Sequence, residues 1–276
     1  LITYLLIPLK YKKILFNQKE NLATFAKKFI LQTPFISFDD IYDFQIDENK
    51  KMKNVFLSIY ERAQKSGNKC LLLYGPRGSG RTLLAHALAR ELGGIIAQVE
   101  GPELFQINYF VKEFARISIE LQGNRPLIVF VRNIETLYNV MGQLLFLIDK
   151  FSTSKNKILF ICSSALPLKN LPPQISSKFI YHLCICTPSS MKLPLFRFIA
   201  NNSGIKLNMS DQEINNYFNI LRSYSNGDIF QVLKLAYDLK KQNGDNSLGV
   251  TSGFIDKALQ IIPGSIPQQL IQIYCL

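Results

Sequence analysis

Gly75, Gly78, Gly80, Arg81 and Thr82 are spaced to hold a phosphate. They stand in Leu71-Leu72-Leu73-Tyr74-Gly75-Pro76-Arg77-Gly78-Ser79-Gly80-Arg81-Thr82-Leu83, where an apolar run ends in a glycine-rich turn and a helical pattern follows. A strand, then a loop, then a helix is the setting that a phosphate-binding loop of pattern GxxxxGK[ST] needs. The glycines allow backbone conformations closed to other residues, so successive N–H groups can surround a phosphate. The helix starting near Arg81 adds the positive end of its dipole. The Thr82 hydroxyl stands where it can hold Mg²⁺ beside the phosphates. Arg81 occupies the lysine position. It keeps the charge, but it is longer, planar and forked, so a different point of contact and weaker binding are expected. An ordinary glycine turn is the competing reading, and the number of matched positions weighs against it.

The elements that must position this loop follow from the hydrophobic pattern. Asn21 to Leu31 has helical spacing, Thr33-Pro34 breaks it, and Phe35 to Ile41 reads as an extended lead-in. Asp47 or Asn49 is expected to cap a helix running to about Lys65. Strands are expected at Cys70 to Tyr74, Ile95 to Val99, Leu127 to Val131, Lys157 to Cys162 and Ile180 to Cys186. Helices are expected between them at Thr82 to Leu92, Val111 to Leu121 and Thr136 to Phe151, the first ended by Gly93-Gly94. This alternation predicts a parallel α/β sheet with right-handed crossovers. After Thr187-Pro188 the pattern is wholly helical: Met191 to Asn201, Ser210 to Leu221, Gly227 to Lys241, Thr251 to Ile261 and Pro267 to Ile273, with Ser210 and Thr251 as N-caps. Gln242 to Gly249 reads as a flexible connector. The domains expected are an N-terminal extension over 1–34, a nucleotide-binding α/β domain over 35–187 and a helical lid over 188–276.

The 276 residues are 47% hydrophobic and 19% charged, enough for a core and a smaller second domain. A net charge of +12 suits nucleic acid, an acidic protein surface or anionic lipid. No block of five like charges occurs, so a basic surface without a dedicated partner is favoured. The five cysteines, Cys70, Cys162, Cys184, Cys186 and Cys275, form no CxxC. They read as reduced core residues of an intracellular protein in a reducing compartment. His86 and His182 are isolated, which argues against a metal centre. No apolar run reaches about eighteen residues, so no transmembrane span is expected. Leu1 is not methionine, which leaves room for sequence upstream. The apolar Leu1 to Leu9 reads as a packed extension rather than the tail of an anchor.

At this point the chain, over about Phe35 to Tyr274, resembles the AAA ATPases, in the branch with katanin, spastin, NSF and the double-ring segregases. Phe38-Asp39-Asp40-Ile41 resembles the family's FDDIGG, with Tyr42-Asp43 in place of the paired glycines. Gly101-Pro102-Glu103-Leu104 is similar to its GPEL. Ser223 to Ile229 resembles the lid motif GYSGADI, and Val250-Thr251 onward resembles the last lid helices. The resemblance implies a P-loop NTPase AAA+ fold: a five-stranded parallel sheet with flanking helices, followed by a small helical lid and assembled into six-membered rings. It implies ATP or ADP, with Mg²⁺ at Thr82, as ligand. The nucleotide would be held by Gly75, Pro76, Arg77, Gly78, Ser79, Gly80, Arg81, Thr82 and Leu83, with Asp40, Ile41 and Tyr42 along the adenine.

Several family positions are changed. The family's Asp-Glu after four apolar residues, metal ligand and base, is here Arg132-Asn133. A cation replaces the metal-side carboxylate, and an amide cannot take the proton. Glu135 lies two residues past the base position and is the remaining candidate base. The polar tip of the fourth strand aligns with Ala165, beside Ser164. The arginine-finger stretch is Ser176-Ser177-Lys178-Phe179, where Lys178 keeps charge without the fork. The pore segment is Phe105 to Phe110, shorter than usual. The helix after Glu135 is expected to begin at once, which removes a second pore loop.

These losses together predict a pseudo-ATPase with no catalytic residue: a nucleotide-binding AAA module acting as scaffold or regulatory subunit, partnered by AAA-family or other protein subunits. Two alternatives stand beside it. One is a working remodelling ATPase using Glu135. The other is a DNA-binding subunit of initiator type, with nucleic acid as partner, disfavoured because the lid motif resembles the remodelling branch.

Overall fold

The structure is a computed structural model and describes residues 30–32, 34, 36–42, 51–100, 125–137, 141–152, 157–244 and 248–274. The described residues form two compact units. One contains those up to Tyr74 together with Thr82–Leu183; the other contains Gly75–Arg81 together with those from Cys184 onward.

The first unit is built on a six-stranded sheet. Its strands are β1 (Ile30–Gln32), β2 (Cys70–Tyr74), β3 (Ile95–Glu100), β4 (Leu127–Arg132), β5 (Ile158–Ser164) and β6 (Tyr181–Cys184), in the order β1-β3-β4-β5-β2-β6. β3, β4, β5 and β2 pair in parallel, with Val129 opposite Phe160 and Leu72 opposite Cys162. The expected five-stranded sheet is β3-β4-β5-β2-β6, each strand within a few residues of its predicted span. The sixth strand is a correction. Ile30 and Leu31, expected at the end of a helical stretch, instead pair antiparallel with β3, Ile30 opposite Gln98. Three residues of helical spacing cannot outweigh the backbone donors and acceptors of an open sheet edge.

Both faces of the central strands are buried, as parallel strands require. Cys70, Leu72, Val129, Val131, Phe160 and Cys162 pack in one core cluster with Leu144, Leu147, Ile148 and Phe151 of the helix Met141–Ser152. The intervening Leu71, Leu73, Ile128, Phe130, Leu159 and Ile161 are also buried.

Helix α1 (Met52–Ser66) buries Met52, Phe56, Ile59 and Ala63, one stripe at helical spacing, and stops at Gly67, whose φ of 76° is left-handed. Its N-cap is Lys51, without a side-chain cap bond; the expected caps Asp47 and Asn49 lie outside the described residues, as does the expected helix Val111 to Leu121. Helix α2 (Arg81–Glu91) follows the glycine loop. Helix α3 (Met141–Ser152) starts later than the Thr136 expected. After β4 the chain makes a tight 3-10 turn over Ile134–Thr136, in which Thr136 Oγ1 donates to Asn133 O at 2.8 Å. That turn uses the residues that the predicted helix would have begun with.

The second unit is helical after residue 187: α5 (Lys192–Asn202), α6 (Asp211–Asn215), α7 (Phe218–Leu221), α8 (Asn226–Gln242), α9 (Ser252–Ile261) and α10 (Gln268–Tyr274); α4 (Pro173–Ser176) belongs to the first. Leu195, Phe196, Ile214, Leu221, Ile229, Leu233, Ile255 and Ala258 are buried. The single helix expected over Ser210 to Leu221 is two. Tyr217 flattens between them at ψ −5°, while its hydroxyl donates to Asp256 Oδ1 at 2.7 Å. Ser210 caps α6 through Glu213 N; Thr251 sits at the N-cap of α9 but makes no side-chain cap bond.

Candidate functional site

The loop is built from glycine geometry. Gly75, Gly78 and Gly80 have φ of 151°, 76° and 98°, a region that side chains disfavour. A Cβ on Gly75 would stand 2.2 Å from Ile185 O, and one on Gly78 would stand 2.4 Å from Ser225 Oγ. Nothing lies within 4 Å of a Cβ on Gly80. Ser79 N donates to Pro76 O at 3.3 Å and closes the turn.

Two loop carbonyls are taken up by the first turn of α8. Gly227 N donates to Gly78 O at 2.9 Å, and Asn226 Nδ2 donates to Ser79 O at 3.4 Å. The turn itself is fixed by a reciprocal cap. Ser225 Oγ accepts from Asp228 N at 3.2 Å, and Asp228 Oδ2 accepts from Ser225 N at 2.7 Å. The same carboxylate oxygen accepts from Ser265 N and Oγ, at 3.0 and 2.5 Å. Lys192, fully buried, donates to Tyr224 O at 2.7 Å just before that cap.

The residues fit a phosphate on two observations. The side of Gly80 where a side chain would project is open space. Ser79 is 4% exposed, and its buried hydroxyl oxygen has no hydrogen-bond partner, an arrangement a folded chain rarely leaves unused. Arg81 is buried at the start of α2, with Thr82 half-buried and Leu83 exposed behind it.

In the first unit, Asp40 closes a 3-10 turn, accepting from Ser37 N at 2.8 Å and Ser37 Oγ at 2.6 Å. Those two bonds hold its carboxyl below the ordinary value. Ile41 and Tyr42 follow half-buried, and burial raises the Tyr42 phenol. Arg132 and Asn133 end β4, on the same sheet edge as Ser164 at the end of β5 and Tyr74 at the end of β2, which is opposite Ser164. Ligands of parallel sheets bind at this carboxyl edge.

Asn133 is the single non-glycine residue with positive φ among the described residues, at 52°. Asn tolerates this conformation and most residues do not. Its N–H donates to Ser163 Oγ at 3.3 Å. Glu135 turns back toward β5, where its Oε1 accepts from Ala165 N at 3.1 Å; its Oε2 is buried without a partner. Ser164 is engaged locally, its Oγ accepting from Leu166 N at 2.9 Å.

Residues 71–186 match the family described as "ATPase family associated with various cellular activities (AAA)". The chain superposes on the crystal structure of the FIGL-1 AAA domain in complex with ADP with a TM-score of 0.71, at 15% identity and covering 94% of this chain and 95% of that one. The fold is the AAA+ P-loop NTPase fold.

Curated relatives align with a shorter stretch. An "AAA ATPase forming ring-shaped complexes" of Bifidobacterium dentium is 34% identical over 131 residues, 40% of this chain and 24% of its own length. A "Proteasome-activating nucleotidase" of Thermococcus onnurineus is 34% identical over 117 residues, 39% of this chain and 29% of its own. The chain thus aligns with less than a third of the length of either relative.

Against this AAA+ frame, Lys178 is paired within its own chain: its Nζ donates to both oxygens of Asp149, at 2.7 and 2.9 Å. The Phe105 to Phe110 segment and Gly101 to Leu104 lie outside the described residues. Among the described residues no three His, Cys, Asp or Glu side chains form a metal cluster, and no helix is long and apolar enough to cross a membrane. Cys70, Cys162, Cys184 and Cys186 are not joined in disulfides. Sequence reading missed the cap at Ser225 and the roles of Asn226 and Thr187. The Ser-x-x-Asp spacing from Ser225 to Asp228, just before an apolar-periodic run, is the signal that marks it.

Proposed function

We propose that this chain is an AAA-type domain that holds ATP or ADP on its variant loop without turning it over, and serves as a structural or regulatory subunit of a larger assembly or mixed ring in a reducing compartment. In this reading the loop amides and the Arg81 guanidinium hold the phosphates, Thr82 holds Mg²⁺, and Asp40, Ile41 and Tyr42 flank the adenine. Bound Mg²⁺ supplies charge neutralisation on the phosphates.

The observation that carries the reading is the end of β4. Asn133 turns the chain through a left-handed conformation, and Glu135 is spent on the Ala165 amide. An amide at the base position has no proton-accepting capacity near neutral pH. Loss of a general base alone costs roughly 10²–10⁴-fold in rate. The ring-forming relatives support a multisubunit setting.

One observation favours an active enzyme instead: Glu135 Oε2 is buried and unpaired, so a water bonded there would have a base beside it. The decisive experiment pairs equilibrium binding of ADP with steady-state phosphate release from ATP by the purified chain. Binding with release at the blank level is expected. Sustained release that disappears in Glu135→Gln or Thr82→Ala overturns the proposal in favour of the ATPase.

A further inference from the structure

We infer that Asn226 is a strap that ties the glycine loop to helix α8, so that a nucleotide on the loop orders the first turn of that helix. The inference rests on the nucleotide-binding reading above and deepens it.

Asn226 makes two bonds that fix the orientation of its amide. Its Nδ2 donates to Ser79 O at 3.4 Å, and its Oδ1 accepts from Thr187 Oγ1 at 2.9 Å. Rotating the amide by half a turn would set its oxygen against the Ser79 carbonyl, two acceptors face to face, so this is the orientation the network permits. Thr187 is 1% exposed, which holds one end of the strap in the packed interior of the same unit.

The neighbouring residue supplies a second tie. The first N–H groups of a helix have no partner within it. In α8 the Asp228 N–H is met by Ser225 Oγ, and the Gly227 N–H is met by Gly78 O of the loop. The approach is tight on both sides: a Cβ on Gly227 would stand 3.2 Å from Gly78 Cα, and one on Gly78 would stand 3.4 Å from Gly227 Cα. The loop carbonyls of Gly78 and Ser79 are therefore held by α8, while Ser79 Oγ is buried without a partner and the Cβ side of Gly80 is open.

The consequence is reciprocal. A phosphate that fixes the loop also fixes the two carbonyls that α8 leans on, so the ligand steadies the helix start, and a steadied helix start in turn lowers the ordering cost of binding. Asn226 is a positioning residue in this account; it acts on the ligand through the loop.

Hydrogen exchange at the Gly227 amide reads the strap directly, in wild type, Asn226→Ala and Thr187→Val, each without ligand and with ADP and Mg²⁺ in excess. Without ligand, loss of the strap bond speeds exchange at Gly227 between roughly 3- and 10-fold, the range of one ordinary hydrogen bond. Amides in the middle of α9 stay unchanged and show that the unit is folded. In wild type ADP slows Gly227 exchange, and Asn226→Ala removes at least half of that slowing. Thr187→Val gives the same pattern at smaller size, which separates the strap from a folding defect in Asn226→Ala. Equal Gly227 rates in wild type and both variants overturn the strap. ADP that binds yet leaves Gly227 unchanged overturns the coupling. A wild type that binds no ADP fails the nucleotide reading and the coupling with it, and the unliganded comparison alone then decides the strap.

Discussion

Replacing Gly78 and Gly80 separately by alanine should give two different defects. Both have positive φ, 76° and 98°, and a side chain in that region costs roughly 1–2 kcal/mol. The surroundings differ. The Gly80 Cβ meets nothing within 4 Å, so Gly80→Ala should cost stability only that strain. The Gly78 Cβ would stand 2.4 Å from Ser225 Oγ and 3.3 Å from Ser225 Cβ, inside the cap of α8. Clearing it displaces the cap oxygen, a loss of roughly 0.5–2 kcal/mol, and stretches the bond from Gly227 N to Gly78 O, about 0.5–1.5 kcal/mol. The sum for Gly78→Ala is about 2–5 kcal/mol. At roughly 2–4 °C per kcal/mol for a chain of this size, thermal unfolding should fall by roughly 4–20 °C in Gly78→Ala and by roughly 2–8 °C in Gly80→Ala. Nucleotide binding should rank the other way, because the Gly80 methyl enters the open space of the loop while the Gly78 methyl is directed at Ser225 of the α8 cap. Differential scanning fluorimetry with and without ADP measures both orders. Equal melting temperatures for the two variants would refute the reasoning.

Three further outcomes are expected. Lys178→Met removes a pair whose side chains are 41% and 58% exposed, so denaturant unfolding should register no more than about 1 kcal/mol. Burial pushes the Cys70 thiol up to about 12 and the Cys162 thiol upward as well; both should resist iodoacetamide at pH 8 until denaturant is added, as mass spectrometry of labelled peptides would reveal. The Glu213 carboxyl is held below its ordinary 4.5, first by Ser210 N–H and then by the Ser210 hydroxyl. A lowered folded-state value places its contribution above pH 4.5 and removes it as the pH falls through the folded value, so the stability gap between wild type and Glu213→Gln should be widest near neutrality and close on acidification.

Much of the fold was legible because its signals are local. Leu71 to Leu73 and Leu127 to Val131 are apolar throughout, as strands buried on both faces read, and each run is too short for a helix. The loop was legible for a similar reason: three glycines at set spacing after such a strand leave few other uses for their conformational freedom. The helix boundaries around residues 136 and 217 were not legible. There the backbone follows a bond to a distant or unexpected partner, Thr136 Oγ1 to Asn133 O and the Tyr217 hydroxyl to Asp256, and periodicity carries no trace of either.

The candidate site divides in the same way. Residue identity alone determined that β4 ends in a cation followed by an amide, since no packing can give Arg132 or Asn133 the proton-accepting group of a carboxylate. Sequence likewise set the glycine cradle. Only the tertiary structure decided what the polar neighbours do: that Glu135 turns back to the Ala165 amide, that Lys178 is held by Asp149, and that Asn226 reaches the loop through Ser79 and Thr187. Those partners lie between 29 and 147 residues away along the chain. A side chain's chemistry is fixed by its type, but the atom it meets is fixed by where the rest of the chain has folded.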